Sequence, residues 1–137
     1  MQTNFEIDQA IAITSGEHYL DLHNNFAFVG IDYQPTAMSA VLRWTREAGS
    51  WVPADAPQEV ILTFRRVTNF AICRRDDAMP RTEDCCLETF SFTPPEFGDD
   101  FDRCFQGYRS QEEHLTLRFH SGAAIKIWAD VGEFSIH

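Results

Sequence analysis

Apolar and polar residues alternate in two consecutive runs near the end of the chain. The alternation extends from His114 to Phe119 and returns from Ala123 to Trp128, after a His-Ser-Gly segment. A period of two residues is typical of a β-strand that buries one face. The two runs therefore predict a β-hairpin over residues 113–130.

The length of the hairpin loop follows from the faces that meet across it. A two-residue loop would set Leu117 opposite Lys126, so each face would mix apolar and polar side chains. A three-residue His-Ser-Gly loop, with Gly122 in the left-handed conformation, sets Leu117 opposite Ile125 instead. We therefore predict the three-residue loop and two apolar pairs: Leu117 with Ile125, and Leu115 with Ile127.

The second face of the hairpin carries a tryptophan among polar side chains. Its members are His114, Thr116, Arg118, Lys126 and Trp128. Such a face is either covered by another layer or open to a partner, because Trp and Arg are enriched at binding hot spots. Trp51, in a proline-rich loop, poses the same question. These six residues form the candidate interaction surface.

Shorter alternations predict further strands. They cover Phe5 to Ile13, Phe26 to Tyr33, Met38 to Trp44, Val60 to Phe64 with a continuation at Phe70 to Cys73 after a kink, and Leu87 to Phe92. A short helix capped at Thr3 or Asn4 is the alternative for the first. Gly30 is the predicted site of a β-bulge.

Predicted loops cover residues 34–37, 48–57 and 74–86. The last is expected to be solvated because it is rich in charged residues.

One segment breaks the β pattern and has the spacing of a helix. Its apolar positions follow i, i+4, i+7, i+8 and i+11, and two aspartates at its start suit the helix dipole. These positions are Phe97, Phe101, Cys104, Phe105 and Tyr108. We therefore expect a short helix near residues 98–109.

The number and order of these elements predict the fold class. About seven to eight strands are expected, with at most one or two short helices, and strands joined by turns pair antiparallel. We predict a mainly β fold, either an antiparallel sandwich or a partly closed barrel. Because no repeat or linker divides the 137 residues, residues 1–137 are expected to form one domain.

The charge balance bears on the kind of partner. The chain has 21 acidic and 11 basic residues, a formal net charge of −10. Nucleic-acid binding depends on neutralising phosphates, so this balance argues against it. A basic protein is the partner that this negative charge favours.

The phenylalanine content has two interpretations. The twelve Phe fit a filled core or, alternatively, the lining of a ligand cavity.

The compartment determines how the cysteines are interpreted. The first residues lack the basic and apolar regions of a signal peptide, and no apolar run approaches the length of a membrane span, so a cytoplasmic protein is expected. Cysteines in a reducing compartment are thiols. Their spacing fits no zinc motif, so we expect buried or incidental thiols, with a metal or redox role as the alternative. They are Cys73, Cys85, Cys86 and Cys104.

Catalytic and cofactor motifs are absent from the sequence. It contains neither a G-x-S-x-G elbow nor a glycine-rich phosphate loop. His18 and His23 are five residues apart, and His114 and His120 are six apart, so neither pair forms a bidentate metal site along a strand. His137 is expected to belong to a frayed tail or a tag. We therefore expect neither enzymatic activity nor a cofactor.

Four segments together carry a family resemblance: Leu20 to Phe26, Ala40 to Trp44, Val60 to Phe64 and the closing hairpin. They resemble small bacterial β-rich families of unknown function, some of which are similar to immunity proteins of polymorphic toxin systems. The resemblance rests on strand pattern and carries over no functional residue.

The leading functional hypothesis is a non-enzymatic cytoplasmic binding protein that masks a basic protein partner, such as a toxin domain. The acidic balance and the missing catalytic motifs support it. The alternative is a small-molecule carrier or a minor enzyme built on a β-barrel.

Overall fold

The computed structural model describes residues 1–97 and 113–137. In chain order the strands are β1 (Gln2–Thr3), β2 (Glu6–Asp8), β3 (Ala12–Ser15), β4 (His18–Asp21), β5 (Phe26–Gln34), β6 (Ser39–Arg46), β7 (Glu59–Cys73), β8 (Leu87–Thr93), β9 (His114–Phe119) and β10 (Ala124–Ile136). Two short 3-10 helices cover Arg81–Cys85 and Pro95–Phe97. The helix expected near 98–109 lies outside the described residues.

A large sheet with the strand order β5-β6-β7-β10-β9-β8 forms the body of the protein. All of its neighbours along this path are antiparallel, and β1 adds to β10 in parallel, with Gln2 opposite Val131. The sheet curls into a half-barrel, and a second sheet has the order β2-β3-β4. The predicted mainly β, antiparallel, partly closed architecture is confirmed.

The longest strand is bent in its middle. Trp128 pairs with Asn69 and Ala129 with Val67, so β7 carries one extra residue at this point. Arg66, just before it, has a φ of 51° in the left-handed region. A bulge of this kind bends the strand and increases its twist. This confirms the kink predicted before Phe70, and it helps the large sheet to curl.

The β9–β10 hairpin has the predicted register. Leu117 lies opposite Ile125 and Leu115 opposite Ile127. The amide of Phe119 donates to the carbonyl of Ala123 at 2.9 Å, so three residues remain in the loop. Gly122 has a φ of 80°, as a left-handed loop residue requires.

The opening segment differs from the strand or helix expected for residues 5–13. Gln9 and Ala10 both have positive φ values, of 49° and 60°, and they turn the chain between β2 and β3. The carbonyl of Ala10 accepts a 2.8 Å hydrogen bond from the amide of Phe90, which ties this turn to β8. Splitting the segment adds one strand and the short β1 adds another, so ten strands are described where about seven to eight were expected.

One hydrophobic core joins the two sheets. The small sheet and its flanking residues bury four apolar side chains against the large sheet, namely Phe5, Ile13, Leu20 and Leu22. From β6, Ala40, Leu42 and Trp44 are fully buried as their alternation predicts. Met38 departs from that pattern, because it lies in the β5–β6 turn with a φ of 48° and is 43% exposed.

The N-terminal segment completes the hydrogen bonding of β10. After the short β1 pairing, the side-chain amide of Asn4 bridges the backbone of Phe134. Asn4 Oδ1 accepts from the Phe134 amide at 2.7 Å, and Asn4 Nδ2 donates to its carbonyl at 3.2 Å. The side chain therefore acts as a further strand residue at an edge that would otherwise be open.

Within residues 1–97 and 113–137, no helix is long and apolar enough to cross a membrane.

Candidate functional site

Most of the hairpin face proposed from the sequence is buried. His114, Thr116, Lys126 and Trp128 are each at most 6% exposed, and the rings of His114 and Trp128 stack with centroids 4.2 Å apart. Of the two arrangements that the sequence left open for Trp128, the structure therefore has the covered one. Arg118 is the exposed member of this face.

The buried face continues onto the neighbouring strand. The hydroxyl of Thr116 lies 3.0 Å from the hydroxyl of Thr93 on β8, so the two form a hydrogen bond across the sheet. Lys126 is 1% exposed, an unusual position for a lysine. These contacts make the face a packed layer instead of an open binding surface.

Trp51 has the opposite environment. It is 68% exposed, and its indole Nε1 donates a 3.0 Å hydrogen bond to the carbonyl of Asn24. Its ring lies directly against Gly49, where an added Cβ would come within 2.2 Å of the ring. The side chain is therefore exposed to solvent and yet held in one orientation.

The segments around Trp51 meet at one end of the half-barrel. Glu47 N donates to the carbonyl of Asn25 at 2.9 Å, and Asp21 accepts from both the backbone and the side-chain nitrogen of Asn24. We call this region the loop end and define it as residues 21–25, 47–58, 81–86 and 120–122.

Exposed carboxylates lie on the same connecting loop as Trp51. Glu47 and Asp55 are exposed within it. A surface cleft of about 150 Å³ adjoins it, and its walls include Asp55, Glu17 and Tyr19, of which the tyrosine is 52% exposed. The chain segments around Trp51 thus carry exposed carboxylates as well as the exposed indole ring.

Two histidines from distant parts of the chain meet in the loop end. The rings of His23 and His120 have centroids 5.4 Å apart. His23 Nδ1 lies 2.5 Å from the carbonyl of Leu87, and because a carbonyl can only accept, this nitrogen carries the proton. The amide of His120 donates to the carbonyl of Cys86 at 3.0 Å. Spacing along the chain gave no signal for this pair.

The charged segment 74–86 is ordered by a largely buried arginine side chain, which corrects the expectation of a simply solvated loop. The Arg75 side chain is 13% exposed, and its Nε donates to Asp84 Oδ1 at 2.8 Å. Its terminal nitrogen also donates to the carbonyls of Met79 and Pro80. Hydrogen bonds from Arg75 and from the hydroxyl of Ser121 lower the pKa of Asp84.

Ser121 connects this segment to the hairpin loop. It is fully buried, and its carbonyl accepts a 2.7 Å hydrogen bond from the amide of Asp76. A buried serine whose hydroxyl donates a hydrogen bond to a carboxylate cannot reach a substrate as a nucleophile. Its role is to hold the hairpin loop against the 74–86 segment.

Cys85 and Cys86 are free thiols. Burial, followed by the neighbouring Cys85, raises the pKa of the Cys86 thiol to about 11. Cys73 lies at the end of β7, opposite Ala124. Cys104 falls outside the described residues.

Histidine and acidic groups of the loop end do not form a metal centre. Among residues 1–97 and 113–137, no group of three or more His, Cys, Asp or Glu side chains is arranged to hold a metal ion. His137, expected to be frayed or part of a tag, is hydrogen-bonded through its backbone: its amide donates to Glu59 O, and its carbonyl accepts from the amides of Gln58 and Glu59.

Comparison of the chain with protein-family models, with curated proteins and with solved structures finds no significant match.

Proposed function

We propose that this protein is a non-enzymatic binding protein of the cytoplasm whose loop end masks a basic protein partner, as an immunity protein does. The observation that carries the proposal is Trp51, an aromatic side chain that is 68% exposed and held by a hydrogen bond to Asn24. Exposed tryptophans of soluble proteins are uncommon, and they are enriched at the centres of binding interfaces.

The fixed orientation of Trp51 favours binding. A side chain that is already ordered loses little conformational entropy when a partner covers it. Contact with Gly49 and the bond from the indole Nε1 supply this order. The outer face of the indole remains available to an apolar side chain or, through a cation–π contact, to an arginine or lysine.

The negative net charge of the chain supports the proposal that the partner is basic. The whole chain carries a formal charge of −10, and Glu47 and Asp55 lie within the loop end. A negative field of this kind speeds the approach of a basic protein, and it also disfavours acidic competitors. The complex should therefore weaken as salt is added.

The small-molecule carrier remains a prediction. It requires an enclosed cavity lined by apolar side chains. Four clefts lined by described residues are instead grooves at the surface, for example the one of about 470 Å³ between Asn4 and Thr14. The core phenylalanines Phe64 and Phe90 belong to the packed cluster.

The experiment is to express the protein with each basic protein encoded by its neighbouring genes and to measure affinity by calorimetry at low and high salt. For a true partner we expect Trp51→Ala to weaken binding by about 30-fold or more, the range of an interface hot spot. The matched control is Met38→Ala. It removes an exposed apolar side chain from the β5–β6 turn, at the other end of that hairpin, and should change the affinity less than about 2-fold.

Two results would contradict the proposal. One is that none of the basic neighbours forms a complex. The other is a complex that tolerates Trp51→Ala as well as it tolerates Met38→Ala.

A further inference from the structure

The two adjacent cysteines of the 3-10 segment present their sulfurs on the same side of the chain. Cys85 is the last residue of the 3-10 helix Arg81–Cys85, whereas Cys86 is extended, with φ −90° and ψ 105°. Adjacent side chains of a regular strand point to opposite faces. The change of backbone conformation between these two residues removes that alternation.

Hydrogen bonds show where the two sulfurs lie. Cys85 Sγ donates to the carbonyl of Thr82 at 3.1 Å, and Cys86 Sγ donates to the same carbonyl at 3.5 Å. The two thiols also interact with each other, and the Cys85 thiol contributes to the raised pKa of Cys86. The sulfurs therefore converge on one point.

The segment that carries this pair is well anchored. Asp84 is bonded to the largely buried Arg75, and the carbonyl of Cys86 accepts from the amide of His120. Both cysteines are half-buried, so they remain partly accessible to a small reagent. A pair of ligands that is held in place before binding loses little entropy when it closes on one atom.

We propose that Cys85 and Cys86 form a dithiol site that chelates trivalent arsenic compounds, with both sulfurs bound to one arsenic atom. The site lies in the 81–86 segment of the loop end, and its chemistry does not depend on the proposed binding function. Bridging by one inserted atom gives a nine-membered ring, which is less constrained than the eight-membered ring of a disulfide between adjacent cysteines.

The reaction balances without an oxidant. An organic arsenoxide, R–As=O, condenses with two thiols to give R–As(S–)₂ and one water. Two As–S bonds form, the As=O bond is lost, and the two thiol protons leave with the oxygen as water. Arsenic stays trivalent, and neither sulfur is oxidised. The first As–S bond places the second thiol at high effective concentration, so closure is favoured.

The test uses the full chain with phenylarsine oxide, followed by mass spectrometry of the intact protein. We expect one adduct, with the mass of the reagent minus one water, that survives excess 2-mercaptoethanol and is removed by 2,3-dimercaptopropanol. Cys85→Ser and Cys86→Ser should each weaken retention by about 100-fold, since a single As–S bond lacks the chelate effect. Cys73→Ser and Cys104→Ser are the matched controls and should retain the adduct.

A second measurement needs no variant. After arsenical treatment, unfolding and alkylation of the wild-type protein, Cys85 and Cys86 should stay unalkylated, whereas both should be labelled in protein that was not treated. The proposal is overturned if the wild type forms no stable adduct, if the adduct persists in both Cys85→Ser and Cys86→Ser, or if Cys73 or Cys104 is the protected residue.

Discussion

Trp128 and Trp51 occupy opposite environments in one small β protein. Trp128 on β10 is 3% exposed and stacks on His114, whereas Trp51 in the β6–β7 loop is 68% exposed. Both are well positioned, but by different means. Burial and the stack on His114 hold the first, while a single hydrogen bond and contact with Gly49 hold the second. The protein therefore has one tryptophan packed inside the fold and another whose ring is largely exposed to solvent.

The same contrast applies to the regions around them. The β9–β10 hairpin has two buried faces: Leu117 and Ile125 lie on one, and Thr116 and Lys126 on the other. The loop end consists of connecting segments joined by side-chain and backbone hydrogen bonds. Stability should be most sensitive in the hairpin, and affinity in the loop end.

The largest expected effect is on the buried tryptophan. Trp128→Ala should lower the free energy of unfolding by about 3–5 kcal/mol, because it removes a large side chain from a packed site. Trp51→Ala should lower it by less than about 1 kcal/mol, since most of that side chain is already in solvent. Urea denaturation followed by circular dichroism measures both. Equal losses for the two variants would refute the distinction.

Two glycines allow the buried hairpin and the exposed loop end to be compared by adding a single methyl group to each. At Gly132 on β10, an added Cβ would lie 3.1 Å from Phe64 and 3.2 Å from Thr3. Phe64 is fully buried, so Gly132→Ala should overpack the core and cost about 1–3 kcal/mol of unfolding free energy.

Gly49→Ala is the matched variant in the loop end. Its Cβ would overlap the Trp51 ring, and an exposed ring can move away. We expect little change in stability, within about 0.5 kcal/mol, but faster hydrogen exchange at the Trp51 indole Nε1 as the bond to Asn24 is lost. Urea denaturation and the indole proton signals in NMR distinguish the two. A stable Gly132→Ala protein, or an unchanged indole in Gly49→Ala, would contradict this account.

The smallest expected effect on stability concerns Asp84, which is hydrogen-bonded to Ser121 of the hairpin loop. The hydrogen bond from Arg75, and then that from Ser121, lower the pKa of Asp84 below its usual 3.8. A carboxyl whose pKa is lowered by folding adds stability above its unfolded pKa, and that stability is lost as the pH falls through the folded value. Asp84→Asn should therefore lower the melting temperature near neutral pH, and its difference from wild type should shrink below about pH 3.8.

Thermal unfolding across this pH range measures the effect. Asp55→Asn, in the exposed 48–57 loop, is the control for removing one negative charge. A constant gap between Asp84→Asn and wild type from neutral to strongly acidic pH would show that the ionised Asp84 does not support the fold.

Several elements could be predicted from the sequence because their signals are local. Alternation around Leu117 and Ile125 defines the hairpin and its register, and a glycine at position 122 selects the loop. The bulge at Gly30 is also confirmed, by the register shift between Phe28 and Gly30. Each of these depends on neighbouring residues of one hairpin.

The opening segment and the 74–86 segment were predicted less well for a physical reason. Positive φ values at Gln9 and Ala10 carry no sequence signal, since neither residue favours that region, and the turn is held by β8 through Phe90. The order in the second segment comes from Arg75, whose partners lie up to nine residues away in the chain.

By itself, the sequence determined the class of the fold, the strands with clear alternation and the acidic charge. Alternation depends only on residues that are neighbours in the chain, and net charge is a sum over all residues. Only the tertiary structure decided the environment of each tryptophan, because burial depends on what distant segments place on a face. It alone brought His23 to His120 and anchored the Cys85–Cys86 segment beneath the hairpin loop. Such contacts join residues far apart in the chain, and no period along the sequence records them.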